Sequence, residues 1–277
     1  MFDKISRSWT LVKASAAVLR SDKELLLFPV ISSIATLLVA ATFLLPVIGL
    51  RLFEGGEIGV LGAIVGFLFY LCQYFVIFFF NTALVGAAMI RLEGGDPTVA
   101  DGLRIARSKA GVILGYAAIA ATVGLVLQMI SEKAGFLGKI VVGLVGMAWT
   151  VASFLVVPIL VSRDVGPVDA IKESIELLKR TWGENVAGNV GIGMAFGLIT
   201  MLVVVLAVGL VIAAAATGGA KLAIVVGIVG ALAVALVAVI QAALSGIYSA
   251  AVYRYAVDGI APAGFAGPQL QSAFHPK

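Results

Sequence analysis

The chain has 277 residues, 61% of them apolar and only 12% charged, with a formal charge of +4. Ordinary soluble domains are about half apolar and about a quarter charged, so this composition excludes a fold solvated by water alone. The basic surplus does not indicate nucleic acid either, because Lys and Arg lie between apolar runs, where lipid headgroups sit, and form no stripe with interleaved aromatics.

Residues 1–24 mix Lys4, Arg7, Lys13, Arg20 and Lys23 with Asp3, Asp22 and Glu24. Ile5, Trp9, Val12, Ala16 and Leu19 recur at spacings of three and four, which predicts an amphipathic helix with Arg7 and Lys13 off its apolar face. The apolar run that follows is too long for a signal-peptide core and is expected to stay in the membrane. It is the first of a series of charge-free runs: Leu25 to Leu50, Ile58 to Ile90, Ala110 to Ser131, Ile140 to Ser162, Asn185 to Ala220 and Leu222 to Tyr253. Each is long enough to cross a hydrocarbon core, which takes about 20 helical residues. Only Lys221 separates the last two, and Thr217, Gly218 and Gly219 beside it predict a tight turn. Six spans is the expected count, with five or seven as alternatives.

Between the second and third runs stands Arg91-Leu92-Glu93-Gly94-Gly95-Asp96-Pro97-Thr98. Its glycines and carboxylates read first as helix-end chemistry: Gly94 and Gly95 close one helix, Asp96 caps the next, and Pro97 takes the first helical position. A cation or headgroup site is the competing reading. Pro97 then opens an amphipathic helix with Val99, Leu103, Ala106 and Ala110 on one side and Arg104 and Lys109 elsewhere. Pro167 opens another, with Val168, Ile171, Ile175, Leu178 and Trp182 on one side and Lys172 and Lys179 elsewhere. Placing Pro97 over Pro167 also places Ala100 over Ala170 and Ile105 over Ile175.

The expected fold is therefore all-α, a polytopic membrane bundle of six helices. They form three hairpins, each preceded by a cytoplasmic amphipathic helix, as parallel repeats about the membrane normal. Residues 1–260 are read as one transmembrane domain, with hairpin units of about 1–90, 91–162 and 163–255, and 261–277 as a flexible cytoplasmic tail. Segments 1–24, 91–109, 163–184 and 254–277 hold all the basic residues except Arg51, Lys133, Lys139 and Lys221. Cytoplasmic loops are the ones enriched in Lys and Arg, so both termini are expected inside, in a cell membrane.

No catalytic, cofactor or metal motif stands out. The single histidine, His275, lies near the C-terminus, and the single cysteine, Cys72, lies inside an apolar run. Carboxylates are confined to connecting segments, so an enzyme is not expected. The polar side chains within the runs are amides, and Gln73, Asn81, Gln128 and Gln241 are the candidates to line a polar path. Single amides otherwise join neighbouring helices by hydrogen bonds. Gly62/Gly66, Gly111/Gly115 and Gly193/Gly197 have the spacing at which helices approach closely.

Ser6-Arg7-Ser8-Trp9, Leu26-Leu27-Phe28-Pro29 and Phe80-Asn81-Thr82-Ala83-Leu84, with the Arg91 to Thr98 block, resemble an uncharacterised prokaryotic integral membrane family, domain of unknown function 6159. The layout is more loosely similar to the membrane domains attached to some glycerophosphodiester phosphodiesterases, without their soluble catalytic domain. The resemblance implies a bacterial or archaeal cell membrane and supplies no activity. The leading expectation is a non-enzymatic membrane protein that binds lipid or a membrane partner through its cytoplasmic helices. Arg7, Lys13, Arg104, Arg107, Lys109, Lys172, Lys179 and Arg180 are its candidate contacts. Membrane lipids are the expected partners, with a second copy of the chain or another membrane protein beside them, and no cofactor is expected. The alternative is a permease or channel for a neutral or amphiphilic solute along the amides.

Overall fold

The structure is a computed structural model that describes residues 13–49, 60–182 and 190–259, together with Pro262 and Phe265. Every regular element among them is helical. Helix α1 (13–21) leads through a 3-10 turn (Lys23–Leu26) into α2 (Leu27–Gly49). Next come α3 (Val60–Leu92), α4 (Val99–Ser108), α5 (Ala110–Lys133), α6 (Phe136–Ala152), α7 (Val156–Ser162), α8 (Pro167–Trp182) and α9 (Val190–Asp258). Among the described residues, five helical stretches are long and apolar enough to cross a membrane: Lys23–Pro46, Gly62–Leu92, Ala110–Lys133, Phe136–Ser162 and Ile199–Asp258.

The count is five where the sequence predicts six because α9 runs continuously through residue 219. Its backbone nevertheless leaves the helical region at Gly219 (φ 72°, ψ −172°), a conformation open essentially only to glycine. A methyl group on Gly230 would lie 2.9 Å from the Cβ of Ala207, and one on Gly227 would lie 3.8 Å from a methyl of Val211. In a straight helix residues 207 and 230 would stand about 35 Å apart. The two arms of α9 therefore lie against one another.

The fourth apolar run is interrupted as well. Ser153 to Leu155 form a turn between α6 and α7, and the freed N–H of the buried Leu155 donates to Ser174 Oγ of α8 at 3.2 Å. A buried N–H needs such a partner, since leaving it unmade costs about 1–3 kcal/mol. Ser174, itself fully buried, thus pins α8 to the break.

Helix α3 is the central post. Antiparallel to it run α2, by the Phe43–Phe69 ring contact and the Gln73 bond to Thr36, and α5, by Phe78–Tyr116 and Tyr70–Gln128. The C-terminal arm of α9 meets it at Gly246, where an added methyl would strike Leu84 at 2.5 Å. These directions gather the start of α2, the end of α3, the start of α5, and the ends of α7 and α9 at one end of the bundle. The core is concentrated there: Leu25, Phe28, Ala83, Val85, Leu155, Ile159, Ile247 and Val252 are buried. Away from it large apolar side chains face outward, with Leu37 at 70%, Phe136 at 80% and Ile212 at 65% exposure. Apolar surface on that scale is what a hydrocarbon solvent leaves exposed.

Helices α1, α4 and α8 pack at the same end, with buried faces rotated from those read off the sequence. In α1 the buried residues are Ala14, Ser15, Val18 and Leu19, while Ile5, Trp9 and Val12 lie outside the described residues. In α4 they are Gly102 and Ala106, and in α8 Ala170, Ser174 and Leu178. Val168, expected inward, is 52% exposed. Burial therefore aligns Gly102 with Ala170 and Ala106 with Ser174, two residues out of step with the proline alignment. Small residues decide the register because the helices sit directly on other backbones. A methyl on Gly102 would come within 2.6 Å of the Ala83 carbonyl oxygen, and one on Gly86 within 2.9 Å of Ile105.

Candidate functional site

The charged end of the bundle is organised around Arg91, in the last turn of α3. Its Nη1 donates to the Gly95 carbonyl at 3.2 Å and to Asp96 Oδ1 at 3.1 Å, and its Nε and Nη2 reach the hydroxyl and carbonyl of Ser21 at 3.4 Å. Gly94 takes φ 89°, and the N–H groups of Gly94 and Gly95 bond back to Arg91 and Ile90. That is the paired-bond helix ending in which glycine at positive φ satisfies the last carbonyls.

The start of α4 differs from the expectation. Its N-cap is Thr98, in a reciprocal capping box with Asp101, and not Asp96. Asp96 is drawn away to Arg91, and the N–H of Val99 is taken by Glu24 Oε2 at 3.1 Å. The two hydrogen bonds from Thr98 hold the Asp101 carboxyl below its ordinary 3.8. Asp22 goes the other way: burial raises its carboxyl above 3.8 against the Glu24 N–H and Arg91, and its Oδ2 has no hydrogen-bond partner among the described residues.

The candidate basic contacts divide. Lys13, Arg107 and Lys179 are exposed and make no ion pair with another described residue. Arg104 pairs with Asp101 at 3.2 Å, and Lys172 with Asp169 at 3.1 Å. Lys109 is only 18% exposed; its Nζ donates to the Arg163 carbonyl at 2.9 Å and stands 3.4 Å from Asp164, so it ties α5 to the turn before α8 instead of facing a partner. Arg7 and the side chain of Arg180 lie outside the described residues.

The amides are not brought together. Gln73 donates to the Thr36 carbonyl across the α2–α3 contact at 3.2 Å. Asn81 faces Gly246 on α9. Gln128 accepts from Tyr70 and donates to Glu132, both at 3.1 Å, on an exposed stretch of α5, and Gln241 is half-buried on α9. Gln73, Asn81 and Gln128 thus lie at three different helix contacts, and Gln73 and Gln128 take the joining role of single amides between helices. Of the spaced glycine pairs, Gly115 meets a neighbour, Pro167, while Gly66, Gly111 and Gly197 have open space around them. Close approaches between helices fall at Gly86, Gly102, Gly230 and Gly246, which stand in no such pair. Among the described residues no group of three or more His, Cys, Asp or Glu is placed to hold a metal ion, and the Cys72 thiol is free and half-buried.

A family model described as a family of unknown function, DUF6159, matches residues 60–265. The chain belongs to that family. The matched segment begins at α3 and runs past the end of α9, so within this DUF6159 protein α1 and α2 stand outside it. No curated protein matches the chain, and the looser likeness to glycerophosphodiester phosphodiesterase membrane domains gains no support.

Within the DUF6159 segment lies a cluster that sequence reasoning did not single out. Arg254, near the end of α9, stands 3.3 Å from Glu93 at the end of α3 and 3.6 Å from Asp258 one turn on. Beside it, Arg163 pairs with Glu173 at 2.7 Å. The residues are far apart in the chain, and only the convergence of α3, α7 and α9 assembles them. The one available signal was that Arg254 directly follows a long apolar run.

Proposed function

We propose that this is a non-enzymatic protein of the cell membrane whose charged end lies on the cytoplasmic side and binds anionic lipid through exposed cations. The observation that carries the reading is a set of basic side chains at that end, Lys13, Arg20, Lys23, Arg107 and Lys179, each exposed and without an ion pair to another described residue. A cation already matched by a carboxylate adds little at an anionic surface, whereas a free one near the headgroups contributes about 1 kcal/mol. Packing of α1, α4 and α8 on the ends of α2, α3 and α7 favours binding by charge over insertion of an apolar helix face.

In this reading the chain crosses the membrane six times as three hairpins, α2 with α3, α5 with α6–α7, and the two arms of α9. The break at Gly219 and the Ala207–Gly230 approach support the last of these. The Lys and Arg distribution supports the cytoplasmic assignment of both termini. A second copy or another membrane protein is the further class of partner for the exposed apolar faces. The permease reading has no comparable support, because Gln73, Asn81 and Gln128 do not converge.

The test is native mass spectrometry of protein extracted from vesicles of equal phosphatidylglycerol and phosphatidylcholine. Phosphatidylglycerol adducts are expected in excess, and an Arg20→Gln, Arg107→Gln, Lys179→Gln variant is expected to lose the excess. Equal retention of both lipids by the unaltered protein would overturn the reading.

A further inference from the structure

A cleft of about 290 Å³ opens where α3, α7 and α9 end, and its walls carry both signs of charge: Arg163 and Arg254 against Glu93 and Asp258. Arg254 is three-quarters buried, with its side chain 25% exposed. Its Nη1 is sealed from solvent and faces Glu93 Oε1 at 3.3 Å without making a hydrogen bond to any described residue, and Asp258 at 3.6 Å lies beyond hydrogen-bond reach of its Nε. A partly desolvated guanidinium that meets its carboxylates without hydrogen-bond geometry leaves N–H groups unmet, and charged oxygens are the strongest acceptors for its planar fork. Ser162, on the same wall, donates its hydroxyl to Met89 Sδ at 3.4 Å, a weak acceptor that a phosphate oxygen outcompetes. The carboxylates sit nearer the opening, with Glu93 60% and Asp258 45% exposed.

We propose that this cleft binds a headgroup that joins a phosphate to a primary ammonium, of the phosphoethanolamine type. The phosphate oxygens accept from Arg254 and Ser162, and from Arg163 beside its pair with Glu173, and the ammonium donates to Glu93 and Asp258. A purely anionic headgroup would satisfy the guanidinium groups but meet two carboxylates. A quaternary ammonium has no N–H to donate to them. A phosphate linked to a primary ammonium matches both halves. The site rests on the reading above in that this end of the bundle must lie at headgroup level, but it uses none of the exposed surface cations named there.

The chemistry is shared by phosphatidylethanolamine and by soluble glycerophosphoethanolamine, and the experiment separates them. Full-length protein in detergent is offered phosphatidylethanolamine, phosphatidylcholine and phosphatidylglycerol in equal amounts, and retained lipid is read by native mass spectrometry. Soluble glycerophosphoethanolamine is titrated in parallel. Retention of phosphatidylethanolamine at least tenfold above phosphatidylcholine is expected, lost in Arg254→Gln. Glu93→Gln with Asp258→Asn is expected to abolish the preference over phosphatidylglycerol while leaving phosphate binding. Arg254→Lys keeps the charge without the fork, and is expected to weaken retention at least fivefold with an unchanged thermal midpoint, which guards against a merely unfolded Arg254→Gln protein. If the soluble compound binds with the same Arg254 dependence and the lipid does not, the ligand is the free phosphoester. No preference for the ethanolamine headgroup in either form, or a preference unmoved by both Arg254 variants, would overturn the site. The surface reading fails separately, by equal retention of phosphatidylglycerol and phosphatidylcholine by the unaltered protein.

Discussion

Asp22 and Asp101 are both aspartates of helix-start turns, yet their surroundings push them in opposite directions. Burial raises the Asp22 carboxyl, with Glu24 and Asp96 adding repulsion and Arg91 and the Glu24 N–H opposing. Its contribution to stability is therefore complete below its unfolded value of 3.8 and is lost as pH rises through the raised folded value. Asp101, lowered by Thr98, contributes above 3.8 and loses that contribution as pH falls through its lower folded value. Thermal unfolding in detergent between pH 3 and about 7 is expected to separate them. Asp101→Asn removes part of the stability loss at the acid end, and Asp22→Asn removes part of the decline on going from acid to neutral. An Asp22→Asn profile parallel to that of the unaltered chain would count against the burial argument. Ser174 gives a second prediction at this scale. Ser174→Ala leaves the Leu155 N–H unpaired inside the core and is expected to lower stability by about 1–3 kcal/mol, read from the same unfolding curves.

At the scale of elements, two interruptions in apolar helices carry the architecture. The break at Ser153 to Leu155 is held by α8, and the break at Gly219 allows α9 to fold on itself. The α9 fold is testable by cross-linking. With Cys72→Ser as background, Val211→Cys and Gly227→Cys are expected to form an intrachain disulfide under mild oxidation, because their contact lies within disulfide reach. In one straight helix the same positions would be about 24 Å apart, and no bridge could form. Helices α1, α4 and α8 obey a different constraint. Their apolar periodicity was visible in the sequence, but the buried stripe follows the smallest residues, Gly102, Ala106, Ala170 and Ser174, because they rest on backbone.

For the molecule as a whole, burial is polarised. One end has a packed core and the ion pairs among the described residues, and the remainder presents Leu, Ile, Val and Phe outward. If the packed end faces the cytoplasm, a membrane-impermeant maleimide applied to intact cells labels Lys139→Cys and Lys221→Cys, and leaves Ser108→Cys and Glu176→Cys unlabelled until the membrane is opened. The reverse pattern would invert the topology, and with it the lipid leaflet assigned to Arg107 and Lys179.

Length, charge-free runs and glycine placement were enough to establish from the sequence alone an all-helical chain suited to hydrocarbon. They also marked the helix ending at Gly94 and the turn at Gly219. These are local properties, set by transfer free energy and by backbone conformations that only a few residue types adopt. The Arg254 cluster, the Ser174 anchor, the separation of the amides and the true faces of α1, α4 and α8 were decided only by tertiary structure. Each depends on which helix ends meet, and that follows from the fit of side chains between residues as distant as Glu93 and Arg254, which no local pattern encodes.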